Sequence, residues 1–146
     1  DALLAAAMLS LGAAKGVEFG AGFAAASSRG SVQNDRPVPA GDAGNALPPG
    51  VPALAYGSNN AGGVLGGISN GMPLEFTVAF KPVPSISMKQ QTADRSGKAR
   101  ELAVRGRHDV CVCPRAVPVV EAMAALVLAD LLLQNRASRL NWPARD

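Results

Sequence analysis

The chain has 146 residues, 48% apolar and only 17% charged, with a formal net charge of +3. That length suits one domain, and high hydrophobicity with low charge excludes a disordered chain. Glycine and proline supply 27 residues and aromatic side chains only six, so turns hold much of the chain and the core must rest on Ala, Val, Leu and Met.

Residues 2–11 are strong helix formers with no N-cap before them, and the chain opens on Asp1 inside this helical pattern. There is no basic segment ahead of the apolar run, so a signal peptide is not indicated, and the chain reads as a fragment or processed piece. Gly12 and Gly16 bracket a predicted turn around Lys15. Val17–Phe19 reads as a short strand, and residues 23–27 as a short Ala-rich helix. Residues 28–58 read as one long Pro/Gly-rich loop, because Pro37, Pro39, Pro48, Pro49 and Pro52 disfavour regular ladders. A connection of that length is usually functional or mobile. The segment from Ser58 to Gly71 holds five glycines, which lets backbone amides approach a ligand closely. It misses the dinucleotide-binding pattern, since Ala61 stands where the first glycine would be.

Leu74–Lys81 alternates apolar and polar side chains, the signature of a half-buried strand, and Pro82 and Pro84 end it. A second strand over Ala99–Val104 would pair with it antiparallel. The longest predicted helix spans Ala116–Arg136, with Pro118 in its first turn. Its stretch to Leu133 is apolar except for Glu121 and Asp130. Those two carboxylates weigh against a membrane span, and a helix apolar on nearly all sides is expected to lie buried between layers. Nine residues separate them, so they face opposite sides and cannot form an acid/base pair. Glu121 could pair with Arg115 if the helix begins there. Residues 137–146 read as a flexible tail.

The charge is uneven. Residues 81–115 carry eight Lys/Arg and three Asp/Glu, a local balance that suits an anionic ligand. No aromatic side chain lies among residues 81–115, so a nucleic-acid stacking surface is not expected. Cys111 and Cys113 are the only cysteines. Their spacing disfavours an intrachain bridge and suits a reduced, cytoplasmic setting. With His108 they make three possible ligands, one short of a structural tetrahedron, so no metal site is predicted and the cysteines are expected to be small buried side chains.

The segment Gly106-Arg107-His108-Asp109-Val110-Cys111-Val112-Cys113-Pro114-Arg115-Ala116-Val117-Pro118-Val119-Val120-Glu121-Ala122-Met123 resembles the C-terminal signature of the chorismate synthase family. Three further blocks agree in order: Lys15–Gly20 with Gly22-Phe23, Asn59–Gly71 and Ala79–Ile86. Val110 and Leu131 depart from the family's usual Pro and His. Family members are more than twice as long, and the family's N-terminal signatures, with the two histidines credited with proton transfer, have no counterpart here.

The resemblance implies an α+β fold, a β-α-β sandwich of which residues 1–146 are the C-terminal portion of a single domain. It implies a 1,4-elimination of phosphate from 5-enolpyruvylshikimate 3-phosphate to give chorismate, on the route to aromatic amino acids. The reaction requires reduced FMN without net redox change, and NADP is an associated cofactor. A homotetramer, with no nucleic-acid or membrane partner, is implied for the whole protein. Gly12, Ala13, Gly66, Lys81, Pro82, Val83, Pro84, Ser85 and Arg107 match the family's FMN-contacting positions, and Asp109 with Arg107 the catalytic ones. The residue chemistry suits these roles: a guanidinium offers a planar fork to an anionic oxygen, and a carboxylate two residues on can hold or share a proton. The alternative expectation is an inactive, non-enzymatic piece with at most a structural or interaction role.

Overall fold

The computed structural model describes residues 1–39 and 54–138. The order of elements is α1 (Ala2–Leu9), β1 (Ala14–Phe19), a 3-10 helix (Gly22–Ser27), α2 (Gly30–Gln33), β2 (Pro37–Pro39), β3 (Leu54–Tyr56), β4 (Val64–Leu65), β5 (Ile68–Ser69), β6 (Phe76–Phe80), β7 (Gln90–Ala93), β8 (Ala99–Leu102) and α3 (Cys113–Ser138). The class is α+β, as expected. Within the described residues the strands form four two-stranded antiparallel pairs: β1 with β6, β2 with β3, β4 with β5 and β7 with β8.

Asp1 caps α1, its carboxylate accepting from the Ala2 N–H at 2.7 Å, so the helix does have the cap that the sequence reading denied it. Leu4 and Met8, one turn apart and therefore on one face, are both buried. α1 packs against β1 and against α3. With Ala14, Ala55 and Ala116 these two side chains complete a small apolar core.

β1 begins three residues earlier than predicted, and Lys15 lies in it rather than in a turn. The register slips between Ala14 and Gly16, a bulge that accommodates Lys15 as the extra residue. β6 alternates half-buried and exposed side chains as its pattern required. Its partner, however, is β1 and not the 99–104 strand. Phe19 stands opposite Phe76, with ring centroids 5.6 Å apart, a cross-strand contact that helps set the register. The 99–104 expectation resolves into β8, paired locally with β7 across the turn at Asp94–Lys98.

The expectation of no ladder in residues 28–58 is overturned by α2 and by the β2–β3 pair, in which Pro37 faces Tyr56 and Pro39 faces Leu54. The Gly57 N–H donates to the Arg36 carbonyl at 3.0 Å. Alternation along an antiparallel pair then puts Val38 and Ala55 in mutual hydrogen bonding, and turns both proline nitrogens away from the partner strand. Pro48, Pro49 and Pro52 lie outside the described residues, as do residues 139–146 of the predicted tail; 137 and 138 are helical.

α3 starts at Cys113, so Pro118 sits inside the helix rather than in its first turn. Only Ala116 of this helix is buried, while Leu126, Leu132 and Leu133 are each more than half exposed. The expected burial between layers is thus not met among the described residues, where α1 is the helix that packs against it most. By length and composition α3 could cross a membrane, and Glu121 and Asp130 on opposite faces weigh against that.

Candidate functional site

Three segments that are far apart in sequence meet where α1 ends, β6 ends and α3 begins. The turn after α1 takes Ala13 to φ 71°, the one positive φ at a non-glycine among the described residues. Such a conformation is strained for a residue with a Cβ and collects at functional positions. Here it aims the Ala13 carbonyl at the Lys81 N–H, 2.9 Å away. Gly12 beside it is exposed, with open space where a side chain would stand. Between these segments lies an open cleft of about 350 Å³, lined by Leu11, Gly12, Phe80, Val112, Arg115 and Val119 among others, with Arg115 the only charged side chain among the described lining residues.

The charged triplet lies on the loop before α3. Asp109 Oδ2 accepts from Arg115 Nη1 at 2.7 Å. Arg115 therefore pairs with Asp109, and the expected pairing with Glu121 is not made. The Arg115 and Ala116 amides both donate to the Val112 carbonyl at 3.0 Å, which closes the same segment a second time. His108 Nε2 lies 3.0 Å from the Val104 carbonyl, folding the loop back on itself. Arg107 is exposed, does not line the cleft and has no ion-pair partner among the described residues. Cys111 and Cys113 are free thiols and both exposed, contrary to the expected burial. A hydrogen bond with Cys111 is the main cause pushing the Cys113 thiol above its ordinary value. Among the described residues no three His, Cys, Asp or Glu side chains converge as a metal site.

Lys81, Pro82 and Pro84 are exposed, and Val83 and Ser85 half-buried, in the segment that leaves β6. Gly66 stands elsewhere. It and Gly67 form the two-residue tip of the β4–β5 hairpin, at φ 58° and 79°, the left-handed pair that such a tight turn requires. That hairpin borders a larger apolar groove of about 690 Å³, walled by Leu3, Leu4, Leu128 and Leu132. We assign the candidate site to the smaller cleft, because size alone does not outweigh its lining arginine and the strained Ala13 next to Gly12. The fold thus puts Gly12 and Arg115 in the lining of that cleft, with Ala13 and Lys81 next in sequence to lining residues and Asp109 paired with one, whereas among the described residues Gly66 and Arg107 neither line it nor bond a residue that does.

Asp35 escaped the sequence reading. It is 5% exposed, and its carboxylate accepts from Ser58 Oγ at 2.6 Å and from the Asn60 and Ala61 amides at 2.8 Å each. Burial by itself would raise its proton affinity, but hydrogen bonds from Ser58, Ala61 and Asn60 outweigh that and hold it below the ordinary 3.8. A single acidic residue in a Gly/Pro-rich stretch carries no periodic signal by which it could have been found.

The family model described as chorismate synthase matches residues 1–133. Among curated relatives, the chain is 53% identical over 138 residues to a chorismate synthase of Porphyromonas gingivalis, covering 94% of this chain and 35% of that protein. It is 49% identical over 142 residues to a chorismate synthase of a Synechococcus species, covering 97% and 36%. A solved crystal structure of chorismate synthase superposes with a TM-score of 0.66 at 36% identity, covering 92% of this chain and 30% of that one. The chain thus spans about a third of the length of the proteins it matches.

Proposed function

The chain belongs to the chorismate synthase family, and from that premise we propose that it forms one wall of the active site of an enzyme that converts 5-enolpyruvylshikimate 3-phosphate to chorismate. The observation that carries this reading is one cleft lined by Gly12, Phe80 and Arg115, with Ala13 and Lys81 hydrogen-bonded to each other next in sequence to the first two and Asp109 paired with the third. These segments match the family's blocks, and nothing in their sequence spacing requires them to meet. Residues 1–146 then form the C-terminal part of a single catalytic domain whose remainder supplies the histidines for proton transfer. The whole protein is read as a cytoplasmic lyase of aromatic amino acid biosynthesis and a homotetramer.

The residues at the cleft fit a reduced flavin. Gly12 leaves open space for close approach, the strained Ala13 is tied to Lys81, and the exposed Lys81 and half-buried Ser85 offer a cation and a hydroxyl. Reduced FMN, when bound, supplies transient electron density that helps phosphate leave without net redox change. In this reading Gly12, Ala13 and Lys81–Ser85 hold the cofactor, Arg107 offers its planar fork to an anionic oxygen, and Asp109 holds or accepts a proton beside the flavin ring. Gly66 joins the cofactor contacts only through the hairpin it caps.

A second reading, that the 146-residue chain alone is inactive, is favoured by the exposed apolar side chains of α3 and by the chain's third-length match to its relatives. The two readings meet in one test. The purified chain, given reduced FMN and substrate anaerobically, should form no chorismate by absorbance. The same chain within the full-length polypeptide should turn over, and Arg107→Lys there should raise the dissociation constant of FMN or substrate. Turnover by the isolated chain would overthrow the division of roles, and unchanged constants would remove Arg107 from binding.

A further inference from the structure

The matched triplet draws attention to Arg107, yet the guanidinium that the fold brings to the cleft belongs to Arg115. Arg115 lies six residues beyond Asp109 and reaches back to it across the turn that opens α3. Its amide and that of Ala116 converge on the Val112 carbonyl, so the segment from Asp109 to Arg115 is closed by backbone on one side and by a charged side-chain pair on the other. An arginine carries five N–H donors in a fixed fork. One is spent on Asp109 Oδ2, and the rest remain for an oxygen of a ligand in the cleft.

We propose that Arg115 is the positioning residue for Asp109, holding its carboxylate beside the cleft and presenting a guanidinium in the cleft lining to an anionic or carbonyl oxygen of the bound ligand. The proposal rests on the reading of this cleft as a flavin wall for its ligand, but not for its geometry. Both side chains of the pair are substantially exposed to solvent, and exposed pairs add little to global stability, about 0–1 kcal/mol. Removing the pair should therefore release the loop without unfolding the chain, which separates positioning from folding.

The test compares the full-length polypeptide containing this chain with its Arg115→Ala and Arg115→Lys variants by ¹⁵N relaxation at Asp109–Val112, far-UV circular dichroism and FMN titration. In Arg115→Ala the order parameters of these amides should fall into the flexible range, below about 0.6. Helicity should be unchanged, and FMN should bind about tenfold more weakly. Arg115→Lys, with charge but no fork, should recover only part of both. Unchanged order parameters in Arg115→Ala would overturn the proposal. So would a loosened loop with unaltered FMN affinity, since the pair would then be a surface staple. A loop loosened by Arg115→Ala, in a polypeptide that binds no FMN even as wild type, would sustain the positioning role and refute the flavin reading instead.

Discussion

A buried carboxylate must be answered by donors, and Asp35 shows how far one residue can organise its surroundings. Its three close partners, Ser58, Asn60 and Ala61, fix the entry to the glycine-rich segment, and Asn60 in turn accepts from the Ala21 amide at 2.7 Å. Asp35→Asn should lower unfolding free energy by about 2–3 kcal/mol in urea titrations, since an amide nitrogen replaces an oxygen that accepted a hydrogen bond. The folded protein holds this group below its ordinary 3.8. Its contribution is therefore full above that value and lost as pH falls through the lower folded one. Asp35→Asn should flatten the acid side of the stability profile, and an unchanged profile would show that other carboxylates set it. Glycines divide by the same logic of contact. A Cβ on Gly20, at φ +51°, would stand 2.1 Å from the Asn60 carbonyl oxygen and 2.4 Å from the Gly62 nitrogen, whereas one on Gly66 would meet nothing within 4 Å. Gly20→Ala should cost about 3 kcal/mol or more, and Gly66→Ala only the left-handed backbone penalty of about 1 kcal/mol. Equal melting temperatures for the two variants would contradict this. The five glycines were visible in the sequence, but their division into a packed pair, Gly62 and Gly63, and an exposed hairpin tip was not. It depends on Gly20 and Glu75 approaching from outside the segment, with Gly20 N–H donating to Glu75 and Glu75 N–H to Gly62.

Elements with a period were legible, and those defined by their partners were not. β6 could be read from alternation and α3 from its apolar run, because each pattern is local. The partner of β6 is β1, some sixty residues earlier, and no local pattern names it. β7, Gln90–Ala93, is exposed at every position and so shows no alternation to read. That hairpin is held at its turn by Asp94, whose carboxylate accepts from Ser96 Oγ at 2.6 Å, Lys98 N–H at 3.0 Å and Arg100 Nε at 3.1 Å. These bonds, Ser96 first, keep its proton affinity below the ordinary carboxylate value. Asp94→Ala should fray β7 and β8 while leaving β1–β6 intact, visible as faster amide exchange confined to residues 90–102. Uniform loss of protection would show that the hairpin is not an independent unit. Pro118 is the second element-scale test. It lacks the N–H that would bond the Pro114 carbonyl one turn back, so Pro118→Ala should raise helicity and the unfolding free energy by about 1–3 kcal/mol. A fall in stability would mean that the proline ring packs in a way that outweighs the missing bond.

At the scale of the molecule, the small buried core and the exposed leucines of α3 leave apolar surface open among the described residues. Surfaces of that kind associate, and replacing Leu126, Leu132 and Leu133 by glutamine should shift the isolated chain toward monomer in sedimentation velocity. The family was legible in four sequence blocks, and the cleft that joins two of them to the Gly12 turn required the fold. The roles proposed for Arg107 and Asp109 came through the resemblance, whereas Arg115 became visible only through its 2.7 Å contact. The central claim is that this chain carries the carboxylate that handles a proton beside the flavin of a chorismate-forming enzyme. Its most direct test is anaerobic turnover, with reduced FMN, of the full-length polypeptide containing this chain against its Asp109→Asn variant, with FMN affinity measured in parallel. The account predicts an active wild type and a variant that binds FMN within about threefold of it but loses on the order of 100-fold or more in rate, the usual effect of removing a proton-transferring group. Chorismate formation at the wild-type rate by Asp109→Asn, or none by the wild type, would contradict it.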